Sequence, residues 1–261
     1  MVASPETVLH ERREGVALLR LNRPRKHNAF NGEMSRAVVA LLDELEADDR
    51  VHAVVLTGSG KAFSAGADMT ESLGTLQSGG AGDGMARAIR RVADFSKPII
   101  AAVNGHALGG GAFLAIVCDI RLASPEASFR FPGAVYGLVV GGSQLPRIVG
   151  AARAKELIFT ARTVDAEEAG RIGLVNRVVP AEELEGVAWE MAASIARNSP
   201  EAVRWSKAVI DAATEVEEAV RLEMKANLEL WGSPDHRERF RAATERLAGP
   251  AQAGESENPG S

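Results

Sequence analysis

Three short apolar runs punctuate the first half of the chain: Val16 to Leu21, Ala53 to Thr57 and Ile99 to Val103. Each has the length of a strand and the continuous hydrophobicity of one buried on both faces. Between the first two, Met34, Val38, Leu41, Leu42 and Leu45 recur at helical spacing. Asn31 is placed to cap that helix, and Glu33 falls in its first turn, where an acid meets the positive end of the helix dipole. A helical stretch over Met85 to Phe95 precedes the strand at Ile99; a helix from about Gly110 and a strand over Asp119 to Ala123 follow it. Strand, helix, strand in repetition predicts an α/β fold with mostly parallel pairing, whose ligand sites gather at strand-to-helix loops.

From about Asp165 the pattern turns helical. Asp165 with Glu168 makes a capping-box-like start. Leu184, Val187, Ala188, Met191 and Ile195 form the next apolar stripe, and Pro200 opens another helix. Val216, Val220, Met224 and Leu228 mark a third, Phe240, Ala243 and Leu247 a fourth. Stripes of this kind are core packing or an oligomer seam. The chain thus divides into a core over 1–195, a helical region over 196–249 and a tail over 250–261, whose Gly, Pro, Ser and Glu content predicts disorder.

Charge and composition then narrow the function. Lys and Arg number 30 against 35 Asp and Glu, a net charge of −5, which offers no attraction to nucleic acid or an anionic membrane. The most apolar run is too short to span a bilayer. A single cysteine, Cys118, leaves no disulfide framework and no Cys-rich metal site, so no metal is expected and a reducing, cytoplasmic setting fits. Aromatic residues make up 5%, whereas glycines number 26, so close backbone approaches are being specified.

Two glycine clusters follow strands directly: residues 58–69, GSGKAFSAGADM, and residues 104–113, NGHALGGGAF. Glycines there let the backbone approach a ligand and turn sharply into a helix whose first N–H groups have no intrahelical acceptor. Two such donors converging on one point bind an oxyanion; alternatively, Gly109 to Gly111 only lets a helix pack tightly on a sheet. A third turn-rich segment runs from Phe129 to Arg147.

In order, the chain carries Leu21-Asn22-Arg23-Pro24, Asn28-Ala29-Phe30-Asn31, Ala62-Phe63-Ser64-Ala65-Gly66-Ala67-Asp68 and Lys97-Pro98. It continues with Asn104-Gly105-His106-Ala107-Leu108-Gly109-Gly110-Gly111, Cys118-Asp119-Ile120-Arg121, and Ala169 with Gly173-Leu174-Val175-Asn176. This ordered set resembles the enoyl-CoA hydratase/isomerase, or crotonase, family from about Val16 to the last helices. The resemblance implies a crotonase-like spiral of β-β-α units with a helical C-terminal trimerisation region, hence a homotrimer or dimer of trimers. It implies an acyl-CoA ligand, CoA being part of the substrate and no cofactor being permanently bound.

By the same resemblance, the backbone N–H groups of Ala67 and Gly110 form an oxyanion hole for the thioester oxygen. Ala65, Gly66, Asp68, Met69 and Thr70 run along the acyl-pantetheine portion, and Arg25 and Lys26 lie near the nucleotide end of CoA. The family's hydratases use two glutamates, and here those positions are Phe113 and Gly133. Neither side chain transfers a proton, and positioned acids and bases each contribute about a hundred- to ten-thousandfold, which argues against hydration. His106 and Tyr136 are the remaining candidates for proton transfer or for a hydroxyl aimed at the acyl group; Glu71, Asp83, Ser143 and Gln144 rank below them. Gly74 to Gly84 reads as a mobile lid, the loop after Leu138 as shortened, and Phe113, Phe129 and Phe131 as an apolar acyl pocket. Two functions follow: an enzyme of thioester enolates that is not a classical hydratase, or a non-catalytic acyl-CoA carrier or regulator.

Overall fold

The computed structural model describes residues 6–78, 84–214 and 217–248. The chain opens on a hairpin of β1 (Val8–Arg13) and β2 (Val16–Leu21), followed by α1 (Gly32–Ala47), whose cap is Asn31 as its position predicts: the side chain accepts from the Met34 N–H at 2.9 Å. Next come β3 (Ala53–Gly58) and β4 (Ala62–Ser64), α2 (Met69–Gln77) and α3 (Gly84–Ala93), then β5 (Ile99–Val103), β6 (His106–Leu108) and α4 (Gly110–Val117). A third strand pair, β7 (Ile120–Ala123) and β8 (Ser128–Arg130), leads to a 3-10 turn over Gly133–Tyr136.

Helices α5 (Leu145–Val149) and α6 (Ala151–Thr160), β9 (Val164–Asp165), α7 (Ala166–Arg171) and β10 (Arg177–Val178) finish the sheets. Four helices close the chain: α8 (Leu184–Ala196), α9 (Pro200–Thr214), α10 (Glu217–Leu230) and α11 (Pro234–Ala248).

Among the described residues the strands form two sheets, one in the order β1-β2-β3-β5-β7-β10 and a smaller one in the order β4-β6-β8-β9. Each successive pair, β3–β4, β5–β6 and β7–β8, places its first strand in the large sheet and its second in the small one. Repetition of that step is the expected spiral. Pairing is parallel except for β1 with β2 and β8 with β9.

Val54, Leu56, Ala101 and Val103 face one core, with Met34, Val38, Leu42 and Phe63, while Val55, Ile100 and Ala102 face the other, against Leu184, Ala188 and Trp189 of α8. Adjacent residues of one strand thus enter opposite cores, which is why these strands read as unbroken apolar runs. The 250–261 tail lies outside the described residues. The capping expectation at Asp165 holds, its carboxylate accepting from the Glu168 N–H at 2.7 Å.

Candidate active site

The two glycine clusters meet. Gly66, at φ 90°, lies so close to the start of α4 that a methyl group on it would sit 2.8 Å from the Leu108 carbonyl oxygen and 3.0 Å from the Gly110 nitrogen. Gly109, the N-cap of α4, has φ 55° and ψ −120°, a combination open to glycine. Gly110 is therefore the first residue of the helix, and its N–H has no intrahelical acceptor.

Residues 65–68 run beside 27–30. The Phe30 N–H donates to Gly66 O at 2.7 Å, the Asp68 N–H to Phe30 O at 2.8 Å and the Ala65 N–H to His27 O at 2.9 Å. In this short parallel bridge the Ala67 N–H points to the side away from Phe30. Neither the Ala67 nor the Gly110 N–H has an acceptor among the described residues. Two main-chain donors without acceptors, on segments in contact, make a candidate oxyanion hole.

The motifs that carry the sequence resemblance hold this arrangement in place. Asn28 is fully buried with φ 54°, a conformation asparagine tolerates better than most residues. Its amide donates to Ser59 O at 2.9 Å and Ala62 O at 2.7 Å, and its oxygen accepts from the Arg23 N–H at 2.9 Å. Ser64 Oγ donates to Asn28 O at 2.9 Å and accepts from the Gly66 N–H at 3.1 Å. Arg23 joins the Ala29 carbonyl and, at 3.0 Å, the buried carboxylate of Asp68. Asp68 also caps α2 through the Thr70 N–H at 3.1 Å. Its carboxylate is thus committed within the protein.

The other expected site residues are more dispersed. Ala65, Met69 and Thr70 continue the Gly66 segment into the first turn of α2, and Arg25 and Lys26 occupy an exposed 3-10 turn after β2, without ion-pair partners among the described residues. His106 is exposed on β6, its Nδ1 2.8 Å from Ser128 Oγ. Tyr136 faces the C-terminal helix: its ring meets Phe240 edge-on at 6.3 Å, and its carbonyl oxygen is 2.6 Å from the Nδ1 of the buried His236. Glu71 is tied to the start of α1, both oxygens 3.0 Å from the Gly32 N–H. Gln144 is bonded to Arg147, and the Ser143 N–H is taken by Glu223. Asp83 lies outside the described residues, as do residues 79–83 of the expected lid.

The apolar pocket expected around three phenylalanines is not formed that way. Phe129 and Phe131 are fully enclosed in the core, and Phe113 packs partly buried against it. A cavity of about 270 Å³ instead adjoins Ala67 under α2, lined also by Phe30, Ser35, Arg36, Thr75 and Met85. Met85 was not distinguishable in the sequence from a core residue of α3. Its sulfur lies where a methyl group on Gly110 would come within 2.4 Å, so it covers the first turn of α4.

Comparisons with known proteins show the family. A family model described as enoyl-CoA hydratase/isomerase matches residues 11–249. The chain belongs to the enoyl-CoA hydratase/isomerase family. It is 40% identical to the short-chain-enoyl-CoA hydratase of Clostridium acetobutylicum over 247 residues, covering 92% of this chain and 95% of that one. An enoyl-CoA hydratase/isomerase from Pseudoalteromonas atlantica T6c superposes with a TM-score of 0.82 at 31% identity, covering 92% of this chain and 97% of the other. A monofunctional enoyl-CoA isomerase from M. smegmatis gives 0.71 at 36% identity over 81% and 95%. The fold of this family member is accordingly the crotonase fold.

The position of the second expected glutamate is closed. Gly133 is buried, and a methyl group on it would lie 2.8 Å from Leu138 O, 3.0 Å from Val140 N and 3.1 Å from Val140 Cβ. The segment 138–140 occupies the volume that a side chain at 133 would need. Elsewhere, burial pushes the Cys118 thiol up to about 12, so it remains protonated and inert at neutral pH.

Proposed function

We propose that this family member is an enzyme of acyl-CoA thioesters. It holds the thioester oxygen between the Ala67 and Gly110 N–H groups and stabilises the charge that develops there as an enolate forms. The observation that carries this reading is the pair of acceptor-free main-chain donors on contacting segments. The helix beginning at Gly110 directs the positive end of its dipole at the same point. Ala65, Gly66, Met69 and Thr70 border the acyl-pantetheine arm, Asp68 holds that border rather than contacting the ligand through its carboxylate, and Arg25 with Lys26 meets the nucleotide phosphates. Phe113 and Gly133 leave no carboxylate pair to add water across a double bond. The reaction is therefore enolate chemistry of another kind: isomerisation, decarboxylation or thioester cleavage.

The missing carboxylates also favour a second reading, a carrier or regulator that binds acyl-CoA without turnover. In either case the protein acts as a homotrimer or dimer of trimers in the cytoplasm. Trp205, Val209 and Ile210 on α9 are each more than 60% exposed, an apolar face that subunit association would cover.

Proline is tolerated at the first position of a helix, so Gly110→Pro removes one donor without breaking α4. Gly110→Ala keeps the donor but displaces Met85, and so controls for the steric effect. Turnover of saturated, 2-enoyl, 3-enoyl and malonyl-type CoA thioesters is followed by mass spectrometry, and binding by calorimetry. Gly110→Pro is expected to lower kcat about 10²–10³-fold beyond the alanine control. Equal activity of the two variants overturns the oxyanion hole; binding with no product from any thioester replaces the enzyme by the carrier.

A further inference from the structure

Residues 138–143 follow the Gly133–Tyr136 turn, and α10 grips them from outside. Glu223, a residue 9% exposed, takes the Gly141 N–H on one carboxylate oxygen at 2.8 Å and the Ser143 N–H on the other at 2.7 Å. One helical turn later, on the same face of α10, Asn227 brackets Val139: it accepts from the Val139 N–H at 2.9 Å and donates to the Val139 carbonyl at 2.7 Å. Both oxygens of one side chain and both ends of the other's amide are spent on a single turn. Charge-assisted bonds to a buried carboxylate are among the strongest a protein makes.

The inner side of the clamped turn packs over Gly133 and against α4. Leu138 O and Val140 N occupy the space beside Gly133, and a methyl group on Gly141 would be 3.3 Å from the Phe131 ring and 3.7 Å from Ile116 Cδ1. Ile116 lies three residues after Phe113 on α4, on the neighbouring face. The turn therefore fills the volume beside Gly133, the second position where, by the sequence resemblance, the family's hydratases carry a glutamate. The cavity next to Ala67 is about 270 Å³, near the lower limit of ligand pockets.

We infer that Glu223 and Asn227 are positioning residues that determine substrate length: by holding residues 138–143 shut over Gly133 and Ile116, they restrict the protein to short acyl-CoA thioesters. This inference rests on the acyl-CoA reading above. Neither residue touches the substrate; both act through the turn.

The test compares butyryl-CoA, dodecanoyl-CoA and free CoA by calorimetry on the wild type, Glu223→Gln and Glu223→Ala/Asn227→Ala, with hydrogen exchange at the Gly141 and Ser143 amides. The wild type is expected to prefer butyryl-CoA. The double variant is expected to exchange those amides faster and to shift the preference toward dodecanoyl-CoA by about tenfold, the effect of two newly buried methylenes. Free CoA should bind all three proteins alike, a split that general loosening of the fold would not produce. Glu223→Gln, which keeps an acceptor oxygen, should shift the preference in the same direction but less, and it carries the comparison if the double variant does not fold. An unchanged chain preference with faster amide exchange overturns the inference alone. If the wild type binds no thioester, the acyl-CoA reading falls and the inference falls with it.

Discussion

Putting a side chain at position 133 is the sharpest test of how the site is closed. In an open pocket, Gly133→Ala would stabilise the protein: φ at Gly133 is not in the left-handed region, and loss of glycine's freedom in the unfolded chain contributes about 0.4–1 kcal/mol. The structure predicts the opposite sign. The added carbon would come within 2.8 Å of Leu138 O and 3.0 Å of Val140 N, both backbone atoms, so relief requires the whole turn to move. That turn is held by four hydrogen bonds from Glu223 and Asn227. Overpacking of this kind costs about 1–3 kcal/mol. For a chain of this size each kcal/mol lowers Tm by about 2–4 °C, so a fall of about 2–12 °C is expected.

Gly133→Glu should be destabilised at least as much and should not hydrate crotonyl-CoA, because its carboxylate cannot enter the occupied space. Calorimetric melts of both variants, with product analysis on the glutamate variant, provide the measurement. A raised Tm for Gly133→Ala would refute the steric argument, and hydration by Gly133→Glu would refute the assignment of that position as closed.

Three further outcomes follow from groups outside the clamp. Asn28→Ala removes three hydrogen bonds and puts alanine at φ 54°; destabilisation of about 2–4 kcal/mol is expected in a denaturant titration, with kcat falling even where the variant is fully folded. No loss of stability would mean that the Asn28 network does not hold the Gly66 segment. Cys118, buried and with its thiol raised to about 12, should resist alkylation at pH 8 in the native protein and react on unfolding; rapid native labelling would contradict the packing of α4. Hydrogen bonds from the side chain and backbone of Arg50 lower the Asp48 carboxyl from 3.8 to about 2. The unfolded chain then binds the proton more readily, so this contribution to stability is present above about pH 4 and lost as pH falls toward 2. Asp48→Asn should flatten that part of the stability profile, and an unaltered profile would show that the pair contributes nothing.

The sequence made some of this legible and hid the rest for physical reasons. β2, β3 and β5 were visible because both faces of each strand are buried, which leaves an unbroken apolar run. β1 was hidden by its position at the sheet edge: of Val8–Arg13 only the first residue is buried, so charges interrupt the pattern. β4, β6 and β8 have three residues each, too few to show a period, and the first two lie within or beside the glycine motifs. The meeting of the two glycine clusters was legible in the motifs because close backbone approach and positive φ are what glycine announces. The roles of Glu223 and Asn227 had no local signal, since their partners lie 80 to 88 residues away.

The Ala67 segment and the turn over Gly133 are held by different parts of the chain. The Ala67 segment is fixed by Arg23, Asn28, Phe30 and Ser64, whereas Gly110 is set by its neighbour Gly109, whose N–H donates to Arg130 O at 2.9 Å and whose carbonyl accepts from the Phe113 N–H at 3.0 Å. The wall around Gly133 is built from Phe131, Ile116, residues 138–143 and α10. The Asn28 network and the Glu223–Asn227 clamp share no residue, so the Ala67 segment and the turn over Gly133 can be perturbed one at a time. A change in the wall should alter reaction and substrate length while leaving the affinity for the CoA moiety intact. A change in the Asn28 network should instead lower kcat for every thioester that the protein turns over. Measuring both classes of variant against the same panel of thioesters tests that separation directly, because coupled losses in both would show that the C-terminal helices hold the donors as well as the wall.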